Sequence, residues 1–138
     1  MRYVADASLV ASLFLPDEAS DRCAALMADL VNDDDEAAAP GLLQLEVTNI
    51  LLMAFRRKRI TGVQLKQVSE AYDQLPISLQ PTLTREQRNE VHRLADKHAL
   101  SAYDAAYLEL TMRLGTPLAS LDEPLLKAAK LEGVKPVL

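Results

Sequence analysis

The chain has 138 residues, 49% hydrophobic and 25% charged, with 15 Lys plus Arg against 20 Asp plus Glu and a net charge of −5. That length supports one core, which buries about two thirds of the surface exposed by the unfolded chain, and the sequence predicts a single domain over residues 1–138. The lone cysteine, Cys23, excludes an intramolecular disulfide and a Cys-rich zinc site, and it points to a reducing cytoplasmic setting. No run of about 18 apolar residues is available to span a bilayer, and Asp6 interrupts the apolar start where a signal-peptide core would lie, so a mature, soluble protein is expected.

The negative charge argues against a partner held by bulk positive potential. Its distribution softens that objection. Residues 1–55 carry two basic against ten acidic side chains, a net of −8, while residues 56–138 carry thirteen against ten, a net of +3. An anionic partner is therefore expected to meet the second half first.

Taken in chain order, Tyr3-Val4-Ala5 reads as a short buried strand, and Ala7 to Leu15 as a helix ended by Pro16. Asp17 to Val31 is a second helix, with Cys23, Leu26, Met27 and Leu30 on one stripe. Ala37-Ala38-Ala39 before Pro40 is read as a second strand, although Ala is a poor strand former. Gly41 to Lys58 is a helix expected to turn Leu42, Leu45, Asn49, Leu52 and Met53 to one face and to close on a basic turn that complements its dipole. Thr61 to Asp73 is helical, and Ile77-Ser78-Leu79 is a strand between prolines. Thr84 to His98 begins with the Thr84/Gln87 capping-box signature. Ser101 to Leu114 is a helix closed by Gly115. Pro117 to Ser120 is a strand, Glu123 to Leu131 a helix closed by Gly133, and Val134 to Leu138 a last strand. Strands alternating with helices predict an α/β domain with a parallel sheet flanked by helices.

The four glycines are scattered at helix ends, which excludes a dinucleotide loop and a phosphate loop. His92 and His98 are too isolated for a histidine metal cluster, and no serine lies in a nucleophile elbow. Four acids remain among apolar neighbours: Asp6 after the first strand, Glu46 in the helix Gly41 to Lys58, Asp104 in the apolar helix Ser101 to Leu114, and Asp122 after the fourth strand. Helix capping accounts for Asp6 and Asp122, and Ser101 with Asp104 resembles a capping box. Glu46 has no such role. An ionised carboxylate among apolar groups is costly unless paired, hydrogen-bonded or bound to a metal. Asp6 and Asp122 would share the carboxyl edge of the sheet, where open α/β folds bind ligands. Carboxylates within ~5 Å repel by about 3 kcal/mol per pair at an effective dielectric of about 20. Such a set calls for a cation, and all-oxygen ligands suit Mg²⁺ or Mn²⁺. Asn49 is expected to face the same way as Glu46, with Ser8 and Ser120 as hydrogen-bond donors from nearby turns.

The segments Tyr3-Val4-Ala5-Asp6-Ala7-Ser8, Leu45-Glu46-Val47-Thr48-Asn49-Ile50-Leu51, Ser101-Ala102-Tyr103-Asp104-Ala105-Ala106-Tyr107-Leu108 and Pro117-Leu118-Ala119-Ser120-Leu121-Asp122 together resemble the four acidic motifs of PIN-domain ribonucleases, and more narrowly of the VapC toxins of bacterial toxin-antitoxin pairs. Order, spacing and length agree across nearly the whole chain. The resemblance implies a three-layer domain with sheet order 3-2-1-4-5, Mg²⁺- or Mn²⁺-dependent endonucleolytic cleavage of RNA to a 5′-phosphate, a cognate VapB antitoxin and a homodimer. On these residues it implies metal ligation by Asp6, Asp104 and Asp122, water activation by Glu46, and support from Ser120. Some members carry a further acid after the last motif, where this chain offers only Glu123, on a different helical face.

The six aromatic residues form no RNA-recognition pattern, so contact is expected through phosphates and shape. Arg56, Arg57, Lys58 and Arg59 are the densest basic run, with Arg85, Arg88 and Arg93 as further candidates. The competing reading is a non-catalytic α/β interaction module whose acids only cap helices.

Overall fold

A computed structural model describes residues 1–15, 21–32 and 34–138. Its elements in chain order are β1 (Arg2–Ala5), α1 (Ala7–Ser12), α2 (Asp21–Val31), β2 (Glu36–Pro40), α3 (Leu43–Arg56), α4 (Gly62–Asp73), β3 (Ile77–Gln80), α5 (Arg85–His98), α6 (Ala102–Leu114), β4 (Leu118–Ala119) and α7 (Glu123–Leu131). The predicted first turn of the second helix, residues 17–20, and the stop at Pro16 lie outside the described residues.

The four strands form one parallel sheet in the order β3-β2-β1-β4. Val4 sits at the centre, opposite Ala38 on one side and Leu118 on the other. The alanines of β2 are buried, so their small side chains serve close packing where strand propensity gives little. The predicted fifth strand contracts to one parallel bridge between Leu118 and Pro136, held by Leu118 N to Lys135 O at 2.9 Å and Val137 N to Leu118 O at 2.9 Å. Pro136 has no N–H to extend a ladder, and β4 offers only two residues to pair with.

The chain steps from β1 to β2 to β3 in one direction and then returns across the sheet to β4. Right-handed crossovers put the helices of the outward steps on one face and α5 and α6 on the other. α6 packs on β1 and β2 with α5 and α7 beside it, and every residue from Ala105 to Thr111 is buried. The capping box predicted at Thr84 and Gln87 forms with both its bonds, and Gly115 closes α6 at φ 65°.

α3 departs from its predicted face. It buries Leu43, Val47, Leu51 and Ala54 and leaves Leu45 76% exposed and Asn49 exposed. Leucines at 42, 43, 45, 51 and 52 satisfy more than one helical stripe, and packing against α1 and α4 selects between them. Among the described residues no helix is long and apolar enough to cross a membrane.

Candidate active site

β1 and β4 lie side by side, and their carboxyl ends flank the point where the chain's strand order reverses, the usual ligand position in such sheets. Asp6 follows β1 directly and is only 4% exposed. Its Oδ1 caps α1 by accepting the Leu9 N–H at 3.0 Å and the Ser8 hydroxyl at 2.7 Å. Its Oδ2 accepts the Ser120 hydroxyl at 2.5 Å. Each serine oxygen in turn accepts a backbone N–H from the loop after β4, Leu121 on Ser8 at 3.0 Å and Asp122 on Ser120 at 3.0 Å. The two strand ends are thus joined through one carboxylate and two hydroxyls. Ser8 and Ser120 thus both donate to Asp6.

Asp122 caps α7 through Oδ1, which accepts the Leu125 N–H at 2.9 Å. Ser101 caps α6 by accepting the Asp104 N–H at 3.1 Å, and the reciprocal half of a capping box is not formed. α3 starts two residues later than expected, which puts Glu46 in its first turn, where the helix dipole favours an anion. Its side chain caps nothing. Instead Glu46 Oε1 accepts the Tyr107 hydroxyl at 2.7 Å, from a residue sixty-one positions further along the chain. Tyr107 is buried to 1% and is the site residue that the sequence reading missed. The available signal was a hydroxyl-bearing aromatic one turn beyond Asp104 on the same helical face.

The carboxylates influence one another. Burial raises Asp6 above the usual range, the Ser120, Leu9 and Ser8 hydrogen bonds oppose that rise, and the charge of Asp122 adds to it. Glu46 is raised by burial and further by Asp104 and Asp6, against the Tyr107 bond. Asp104 is raised by burial and by Asp122, with the Ser101 hydroxyl pulling the other way. Burial and the bond to Glu46 push the Tyr107 phenol far up, so it stays a donor at any physiological pH. Each of the four acids thus either feels or exerts repulsion within the set, and each offers only oxygen, the donor that Mg²⁺ and Mn²⁺ prefer. As they stand, no three acidic, His or Cys side chains among the described residues are drawn tightly enough to ligate an ion. Unscreened anions resist further approach without a cation between them, so donor chemistry and charge fit a divalent ion.

The PIN domain family profile matches residues 3–131. The chain belongs to the PIN-domain family. Ribonuclease VapC3 from Pyrobaculum aerophilum is 30% identical over 125 residues, covering 91% of this chain and 92% of that protein. Two solved structures share the fold. PAE2754 from Pyrobaculum aerophilum superposes with a TM-score of 0.65 at 23% identity, over 99% of this chain and 90% of that one. FitAcB from Neisseria gonorrhoeae gives 0.66 at 14% identity, over 99% and 96%. PIN-domain ribonucleases generally use divalent metals.

The remaining candidate residues, Asn49 and the arginines, lie on the surface. Asn49 is exposed, and no hydrogen bond ties it to Glu46. Arg56, Arg57, Lys58 and Arg59 are exposed at the far end of α3, with Arg56 about 15 Å along the helix axis from Glu46 at 1.5 Å per residue. Arg85 and Arg88 open α5. α5 runs back beside α6 after a three-residue connection, so its last turn, not its first, lies next to Asp104. Its remaining arginine, Arg93, is engaged by Glu90 at 2.6 and 3.0 Å.

Proposed function

We propose that this protein is a divalent-metal-dependent endoribonuclease, the toxin of a type II toxin-antitoxin pair, hydrolysing RNA phosphodiester bonds in the cytoplasm. The observation that carries this reading is a buried Asp6, held by hydroxyl and amide groups where β1 and β4 end side by side, together with the mutual repulsion of Asp6, Glu46, Asp104 and Asp122, drawn from four separate elements. The 30% identity to a protein named a ribonuclease supports the choice of RNA.

In this reading Asp6 and Asp104 hold Mg²⁺ or Mn²⁺, with Asp122 contributing the oxygen that does not cap α7. When bound, the ion supplies a lowered pKa for water and offsets the charge of the phosphate. Glu46, held at Oε1 by Tyr107, has its second oxygen left to orient a water and accept its proton. Ser8 and Ser120 fix Asp6 in place through hydrogen bonds worth about 1 kcal/mol each. In-line attack leaves a 5′-phosphate. Arg56, Arg57, Arg59, Arg85 and Arg88 would engage RNA away from the bond that is cut. A VapB-type antitoxin and a second copy of the chain are the expected partners.

The test is incubation of the purified protein, free of antitoxin, with total RNA and Mg²⁺ or Mn²⁺, followed by mapping of new 5′ ends. Discrete 5′-phosphate ends that vanish with a chelator are expected. Intact RNA, together with a thermal transition indifferent to either ion, would favour the interaction-module reading.

A further inference from the structure

Three of the four acids directly follow an exposed apolar side chain. Leu45 precedes Glu46, Tyr103 precedes Asp104 and Leu121 precedes Asp122, at 76%, 66% and 43% exposure. Tyr103 differs from the other two in offering an aromatic face. It lies four residues before Tyr107 on α6, so the two rings share a helical face. Tyr107 reaches Glu46 from that face. Helical side chains lean toward the N-terminus, which carries the Tyr103 ring one turn further out on the Glu46 side of Asp104. Its backbone is firm, because Ser101 caps the turn and Ala105, Ala106 and Tyr107 are buried beneath it. The ring itself adds little to the core, being two thirds exposed, and the ring pair formed among the described residues is Phe14 with Tyr72.

We propose that Tyr103 is a stacking shelf for the nucleobase beside the phosphodiester bond that the acids cut, with Leu45 and Leu121 extending an apolar rim. The proposal rests on the nuclease reading above. A paired base has both faces covered by its neighbours, whereas an unpaired one presents a face to an aromatic ring. Stacking tolerates any base and strengthens binding by about five- to a hundredfold. Next to carboxylates that repel an incoming phosphate, an attraction independent of charge holds the nucleotide in register.

The experiment uses the full-length Asp6→Asn protein, which should bind without cutting, and short single-stranded RNAs carrying 2-aminopurine on either side of the mapped cleavage point. Quenching of the fluorophore is expected with Tyr103 present. Tyr103→Ala should lose the quenching and about tenfold in affinity, Tyr103→Phe should keep both, and Tyr103→Leu, apolar but without a π face, should behave like Ala. In the cleaving protein, Tyr103→Ala should raise KM about tenfold with kcat nearly unchanged. Unchanged RNA affinity in Tyr103→Ala, rescue by Leu as complete as by Phe, equal binding of duplex, or a defect confined to a protein partner would each overturn the shelf. Cleavage by the unmutated chain is scored separately. A chain that cuts no RNA would sink the nuclease reading and the shelf with it, whereas cleavage indifferent to Tyr103 would sink the shelf alone.

Discussion

Asp6 and Glu109 are both buried acids, 4% and 3% exposed, but their surroundings are opposite in charge. Glu109 lies inside α6 and meets Arg113 one turn later, in a two-pronged pair at 2.8 and 3.2 Å. Its cation comes from its own helix. Among the described residues Asp6 has no such partner: its hydrogen bonds come from neutral groups, and Asp122 adds repulsion. A carboxylate that serves the fold is neutralised within the chain, while one left among other anions is arranged for a cation from outside. Removing charge at the two places should therefore have effects of opposite sign.

The largest effect is expected at the site. Asp6→Asn or Asp104→Asn should reduce cleavage at least about a thousandfold, while the metal-free protein stays folded and melts no lower, because Asn can cap α1 as Asp6 does and α6 is capped by Ser101, not by the Asp104 side chain. Residual metal-dependent cleavage near the original rate would break the assignment.

At the other carboxylate, Arg113→Met should destabilise the fold by about 3 kcal/mol, or roughly 10 °C in Tm, the low end for a broken buried pair because Arg113 is 31% exposed. Cleavage should survive below the new Tm. A Glu109→Gln, Arg113→Met double variant should recover part of the loss, and an Arg113→Met protein as stable as the original would show that Glu109 needs no cation.

A smaller change tests how Glu46 is held. Tyr107→Phe keeps the ring and removes the donor, so kcat should fall about tenfold with little change in KM and a stability loss of about 1 kcal/mol. The lost bond is one that lowers the Glu46 pKa, so the acid limb of the pH profile should move to higher pH. An unmoved limb would deny Tyr107 this role.

The mildest effect is the pH dependence of the metal-free fold. Asp6, Glu46 and Asp104 all have raised pKa values, so the unfolded chain releases protons more readily than the folded one. Their contribution to stability is complete below the ordinary carboxylate range near pH 4 and is lost as pH rises through the folded values. Tm without metal should therefore be lower at pH 7.5 than at pH 5 with respect to these groups, and Mg²⁺ or Mn²⁺ should restore it more at the higher pH. Asp6→Asn should flatten this difference, whereas identical slopes would place the cause elsewhere.

Local interactions were readable because neighbouring residues suffice to set them. Thr84 with Gln87, Ser101 with the Asp104 amide, and Gly115 at its positive φ are such cases. The acids at 6, 46, 104 and 122 could be singled out because a carboxylate among apolar residues is conspicuous at any position. The buried face of α3 could not, since its leucines satisfy two stripes and only α1 and α4 decide between them. Arg85 and Arg88 open α5, at the end away from Asp104.

By itself the sequence determined the alternation of strand and helix, the caps, the residue types of the site and the supply of oxygen donors, all of which follow from backbone preference and side-chain chemistry within a few residues. Only the tertiary structure decided that Tyr107 holds Glu46, that Ser8 and Ser120 join two strand ends through Asp6, and that Asp6 lacks the counter-charge Glu109 has. Those outcomes depend on which parallel strands become neighbours, and neighbourhood across 61 or 114 residues is a property of packing.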